Sequence, residues 1–198
     1  MVCSSVCIRV RNIQEPALGW PSVSESWIGI VGGSGSNPNP AGDLSSRSLS
    51  QSEESAVGTR HDVLIVEDNE SDVFLIQEAL EAAKLPVAIH VVRDGEQAVR
   101  FFELADADGN VPCPALVILD INLPRKQGGE VLKYMRTTRR CGKAVVIAVS
   151  TSDSLRDREQ MTNLGANGYF RKPSEYDEFM KLGGLVRQLL ANAPPVLE

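Results

Sequence analysis

The chain has 198 residues, with 20 Lys+Arg against 26 Asp+Glu and a formal net charge of −6. At roughly 150 residues per domain, that length is one domain plus a remainder. The acidic balance argues against nucleic acid as a partner. No apolar stretch approaches the ~20 residues that cross a bilayer, so no membrane partner is expected either.

Residues 1–60 hold 13 Ser, 7 Gly and 4 Pro. Such a segment cannot bury enough apolar surface to offset chain entropy and reads as a disordered, low-complexity N-terminal region. It fits an unstructured segment or an upstream extension. The opening Met1-Val2-Cys3-Ser4-Ser5-Val6-Cys7-Ile8 has its first positive charge, Arg9, after the apolar residues. That is the wrong order for a signal peptide, and the expected location is the cytoplasm. Cys3, Cys7, Cys113 and Cys141 lack the clustering of a zinc site and read as four unpaired thiols in a reducing compartment.

From residue 61 to 191 short apolar runs alternate with helical patterns, and 192–198 is a short tail. Val63-Leu64-Ile65-Val66 reads as a buried strand. Asn69 caps a predicted helix through about Ala83, with Val73, Ile76 and Leu80 on one face. Val87 to Val92 is a second strand, in which His90 has no co-ligand for a metal and reads as structural. Asp94-Gly95 leads into a helix carrying Ala98, Phe101, Phe102 and Ala105, and a loop follows over 106–114. Ala115 to Leu119 is the most hydrophobic strand and so the expected central one. A helix with Val131, Leu132 and Met135 follows Gly128-Gly129. Arg136, Arg139, Arg140 and Lys143 then form a basic run suited to a helix C-terminus. Ala144 to Val149 is the fourth strand, Asp153 caps a helix to Leu164, and Gly165 stops it. Gly168-Tyr169-Phe170 is the fifth strand. The last helix starts near Ser174, with a kink or early end expected at Gly183-Gly184.

Five βα units imply a doubly wound α/β fold: a five-stranded parallel sheet with helices on both faces. Ligands on such sheets bind beyond the carboxyl ends of the strands. The first strand ends in Glu67-Asp68, the third in Asp120 and the fourth in Ser150-Thr151, and Lys172-Pro173 follows the fifth. Three carboxylates gathered together repel and need a metal cation or a lysine. Hard oxygen donors in low number suit Mg²⁺. With a carboxylate nucleophile, a hydroxyl and a lysine, the set is suited to phosphoryl transfer.

Val63 to Asn69, Leu119-Asp120-Ile121-Asn122-Leu123-Pro124 and Phe170-Arg171-Lys172-Pro173 resemble the receiver domain of two-component response regulators. The separations of 30 residues from Asp120 to Ser150 and 22 from Ser150 to Lys172 agree with it. The resemblance implies a flavodoxin-like (βα)5 fold and gives each residue an expected role. Asp120 is the phosphoacceptor, taking a phosphoryl group from a phosphohistidine on a sensor histidine kinase or phosphotransfer protein. Asp68, Asp120 and the backbone carbonyl of Asn122 ligate Mg²⁺, and Glu67 acts through metal-bound water. Lys172 pairs with Asp120 and then with a phosphoryl oxygen. Ser150 and Thr151 bind the phosphoryl group, Tyr169 follows Ser150, and Pro173 follows a cis peptide bond.

Dimerisation through the fourth helix, fifth strand and fifth helix is implied in the same way. Ala191 to Glu198 is too short for an output domain, so output is expected through contact with a downstream protein or through phosphate moved onward in a relay. Leu123-Pro124-Arg125-Lys126 and the loop over 106–114 resemble regulators paired with phytochrome-type kinases. Arg125-Lys126 reads equally as a steering patch for an acidic donor and as loop charge. The competing reading is a haloacid-dehalogenase-type phosphohydrolase with Asp120 as nucleophile, and it is disfavoured because position 122 is Asn where that chemistry wants a second Asp. An FMN-binding flavodoxin-like module lacks its phosphate-cradling loop after the first strand.

Overall fold

The computed structural model describes residues 9–12, 60–108 and 110–192. Its strands are β1 (Arg9–Asn12), β2 (His61–Val66), β3 (Val87–Val92), β4 (Leu116–Asp120), β5 (Val145–Ser150) and β6 (Gly168–Arg171). The helices are α1 (Glu70–Ala82), α2 (Gly95–Ala107), α3 (Gly128–Met135), α4 (Leu155–Asn163) and α5 (Tyr176–Ala191). The sheet is parallel, in the order β1-β3-β2-β4-β5-β6. The five expected strands are all present, in the doubly wound flavodoxin-like arrangement.

β2 and β4 are buried on both faces because successive side chains point to opposite sides. Val63 and Ile65 join Val73, Ile76, Phe179 and Leu182 beneath α1 and α5. Leu64 and Val66 join Phe102, Leu132 and Met161 beneath α2, α3 and α4. Two helices thus cover one face and three the other. From β2 the chain crosses to β3 on one side, then returns past β2 to β4 on the other. The gap between the carboxyl ends of β2 and β4 is therefore the topological switch point.

Several expectations are corrected. Within the segment read as disordered, Arg9–Asn12 forms an edge strand pairing in parallel with β3; the open edge of β3 offers backbone groups to any extended segment. The rest of residues 1–60 except Arg60, the tail beyond 192, and Cys3 and Cys7 lie outside the described residues. Cys113 and Cys141 are joined in a disulfide with Cα atoms 5.2 Å apart. They precede the neighbouring strands β4 and β5, whose parallel pairing brings residues distant in sequence side by side.

His90 keeps its structural reading: its Nε2 lies 2.7 Å from Asp62 Oδ1 on the adjacent strand. Ser154, one residue after Asp153, caps α4, its Oγ accepting from Asp157 N at 3.4 Å. α5 begins two residues later than expected and runs through Gly183-Gly184 to Ala191. A Cβ on Gly183 would meet Ala79 O at 2.1 Å, so this glycine lets α5 close on α1.

The basic run after α3 is largely occupied by backbone. Arg136 donates to the carbonyls of Gly142 (2.9 Å), Ala144 (2.8 Å) and Gly165. Arg140 donates to the carbonyls of Ala105 and Asp108, holding the end of α2.

Candidate functional site: carboxylates and a lysine at the switch point

Glu67 and Asp68 directly follow β2, and Asn69 turns the chain into α1. The Asn69 side chain accepts from Ser71 N at 2.9 Å, which satisfies one of the helix's orphan donors. Glu67 Oε1 accepts from Asn69 N at 3.2 Å, fixing the acidic turn. Asp120 is the last residue of β4, buried, and its Oδ1 accepts from Asn122 N at 3.2 Å. A Cβ on Gly128 would lie 2.2 Å from Asp120 O, so only glycine lets α3 start this close to the end of β4.

Lys172 reaches in from the turn after β6, anchored by its backbone N–H donating to Ser150 O at 2.7 Å. Its Nζ donates to Asp72 Oδ2 at 2.7 Å, Glu67 Oε2 at 2.8 Å and Asp120 Oδ2 at 3.2 Å. Burial works against the lysine's charge. The bonds to Asp72 and Glu67 and the charges of Asp120 and Glu67 outweigh it, so its pKa is raised. Burial pushes the Glu67 carboxyl up to about 7; the charge of Asp120 adds to the rise, while Lys172 and the Asn69 N–H oppose it.

One oxygen from each of Glu67, Asp68 and Asp120 lies within 4.8 Å of the others. Three carboxylate oxygens at one sheet edge fit a hard divalent cation, which would offset the charge that a single lysine leaves unbalanced.

The expected hydroxyls and aromatic are placed as follows. Ser150 is buried, and its Oγ accepts from Ser152 N at 3.1 Å. Thr151 is exposed. Tyr169 is half-buried, its hydroxyl donating to Ser152 O at 2.9 Å while the Arg158 guanidinium lies 5.0 Å from the ring centroid. Arg125 pairs with Asp94 at 3.3 Å and Glu96 at 3.5 Å, joining the loop after β4 to the loop after β3. Sequence reasoning missed Asp72. Its signal was its position one helical turn after Asp68, where an acid in a first helical turn normally reads as dipole compensation.

Residues 63–182 match the response regulator receiver domain family. The chain belongs to that family. It is a response regulator receiver of two-component signalling, a signalling domain rather than a classical enzyme. It is 31% identical over 120 residues to the response regulator Rcp1 of Synechocystis, covering 61% of this chain and 82% of Rcp1. The structure resembles that of the phosphorylated cyanobacterial phytochrome response regulator RcpA, with a TM-score of 0.62 and 31% identity over 68% of this chain and 97% of RcpA. It also resembles the Mn²⁺-bound form of Rcp1, with a TM-score of 0.60 and 27% identity over 70% of this chain and 99% of that one. Among the described residues no helix is long and apolar enough to cross a membrane.

Proposed function

We propose that Asp120 accepts a phosphoryl group from a phosphohistidine on a sensor histidine kinase of the phytochrome type or on a phosphotransfer protein. The observation that carries this reading is the buried Asp120 carboxylate, 3.2 Å from a lysine ammonium, beside two further carboxylates at the switch point. In the transfer, an Asp120 oxygen forms the new O–P bond as the N–P bond breaks. The electron pair stays on the imidazole nitrogen, which then takes a proton.

Asp68, Asp120 and the Asn122 carbonyl would hold Mg²⁺, with Glu67 contributing through a bound water. The ion supplies charge neutralisation for the transferring phosphoryl oxygens. Lys172 offers a second positive charge from the turn after β6. RcpA has been seen phosphorylated and Rcp1 bound to Mn²⁺; both support the same chemistry here.

A phosphoaspartate adds roughly two negative charges and three acceptor oxygens. Lys172, 3.2 Å from Asp120, and the hydroxyls of Ser150 and Thr151 at the end of the adjacent strand would receive them. Ser150 is tied to Ser152, and Ser152 to the Tyr169 hydroxyl. A pull on Ser150 therefore reaches the α4-β6-α5 face, where a downstream protein or a second copy of the chain would read it.

The test is intact mass after incubation with a small phosphodonor and Mg²⁺, for wild type and Asp120→Asn. The expected result is one hydroxylamine-labile phosphoryl group on wild type alone. Equal labelling of the variant overturns the assignment.

A further inference from the structure

Lys172 has three N–H donors, and three carboxylates take them. Asp72 and Glu67 hold the shorter bonds, at 2.7 and 2.8 Å, and Asp120 the longest, at 3.2 Å. Asp72 stands outside the acidic group of Glu67, Asp68 and Asp120 that a metal could bridge. Its backbone is fixed in the first turn of α1 by the Asn69 cap. So its carboxylate meets the lysine from a rigid element that the cation site does not include.

We propose that Asp72 is a positioning residue: it is the partner Lys172 gives up when a phosphoryl group forms on Asp120. This rests on the phosphoacceptor reading above. A phosphoryl oxygen lies one P–O bond beyond the Asp120 carboxylate, so Nζ must shift to reach it and lengthen one of its two short bonds. The side chains of the two candidates differ in exposure: 1% for Glu67 and 22% for Asp72. Abandoning Glu67 would take the ammonium from a carboxylate that water barely reaches, leaving it the Asn69 N–H as its protein donor, which is costly. Asp72 can take water in place of the ammonium. The lysine's exchange is therefore with Asp72, and the Asp72 charge opposes the phosphorylated state.

The full chain is titrated with beryllofluoride, a phosphoryl mimic, in the presence of Mg²⁺, and separately with Mg²⁺ alone. Asp72→Asn keeps the shape and removes the charge. It should bind beryllofluoride roughly three- to tenfold more tightly than wild type, the scale of one charge-assisted hydrogen bond in a partly solvated site. Its Mg²⁺ affinity should stay within about twofold, because Asp72 is outside the cation site. Asp72→Glu, which restores the charge, should return beryllofluoride affinity toward the wild-type value. Asp72→Ser gives the same readout if the amide variant does not fold.

Equal or weaker beryllofluoride binding by the charge-removing variant overturns the inference, as does a matching change in Mg²⁺ affinity. A wild type that binds beryllofluoride and is phosphorylated, with an indistinguishable Asp72→Asn, overturns the inference alone. A wild type that binds no beryllofluoride and accepts no phosphoryl group overturns the phosphoacceptor reading and the inference with it.

Discussion

The two edges of the sheet both receive cationic side chains, but they use them differently. At the amino edge, Arg136 and Arg140 meet neutral backbone carbonyls, and the Cys113–Cys141 disulfide joins the segments entering β4 and β5. That edge is saturated: planar guanidinium forks satisfy carbonyls that would otherwise be orphaned. At the carboxyl edge, Lys172 meets three carboxylates with Asp68 beside them. That edge carries excess negative charge, and on the proposed function it would respond to a cation or a phosphoryl group. One edge is built to stay fixed and the other to change.

The largest expected effect tests the fixed edge. Arg136→Ala removes the donor that ties the end of α3 to Gly142, Ala144 and Gly165. Burial depresses the Arg136 pKa, the mark of a guanidinium taken out of water for structural use. Leaving these carbonyls unpaired should cost about 4 kcal/mol, read from urea unfolding. Unchanged stability would dissolve the contrast between the edges.

Next is the disulfide, which closes a ring over a separation of 28 residues that contains β4, Asp120 and α3. Chain-entropy reasoning assigns such a ring about 3.6 kcal/mol. Reductant should lower the thermal midpoint of wild type and leave a Cys113→Ser/Cys141→Ser double variant unmoved. A midpoint insensitive to reductant would show that the bridge adds nothing to the fixed edge.

These two devices also show what was legible in the sequence. The strands were readable within one or two residues because β2 to β5 are apolar runs bounded by turn residues. The positions of Glu67, Asp68, Asp120 and Lys172 followed because they stand at the ends of those runs. What escaped depends on pairing through space. Cys113 meets Cys141 only because β4 and β5 are neighbours, and His90 meets Asp62 only because β2 and β3 are. Asp72 looked like an ordinary first-turn acid until Lys172, 100 residues away, reached it. Arg9–Asn12 escaped because β3 supplies the edge that makes it a strand.

A pH experiment tests the responsive edge. Glu67 has an ordinary value of 4.5 and is raised to about 7 in the fold, with burial the leading cause. Between those values the folded state binds more protons than the unfolded chain, so stability must fall as pH rises. The decline spans about pH 4.5 to 7 and levels off above, and Lys172 moderates it by partly neutralising the carboxylate. Without divalent cations, the wild-type urea midpoint should fall across that window and the Glu67→Gln profile should be flatter. Adding Mg²⁺ near pH 7 should restore wild type more than the variant. An identical slope in both would mean that Glu67 does not carry the edge's excess charge.

The smallest effect concerns Arg125, in the loop that closes over the responsive edge. Its backbone is left-handed at φ +66, which costs a non-glycine residue roughly 1 kcal/mol. Against this, its half-exposed side chain pairs with Asp94 and Glu96, worth about 0.5–1 kcal/mol for a largely solvated ion pair. Arg125→Ala loses the pairs and keeps the backbone cost, so it should destabilise by up to about 1 kcal/mol. Arg125→Gly loses the pairs and the cost together and should unfold near the wild-type midpoint. If the glycine variant were as unstable as the alanine one, the backbone conformation would carry no cost, and the ion pairs alone would account for the loop. If both matched wild type, Arg125 would be loop charge that the fold does not use, and the carboxyl edge would owe its order to the buried cluster around Lys172 rather than to the loop above it.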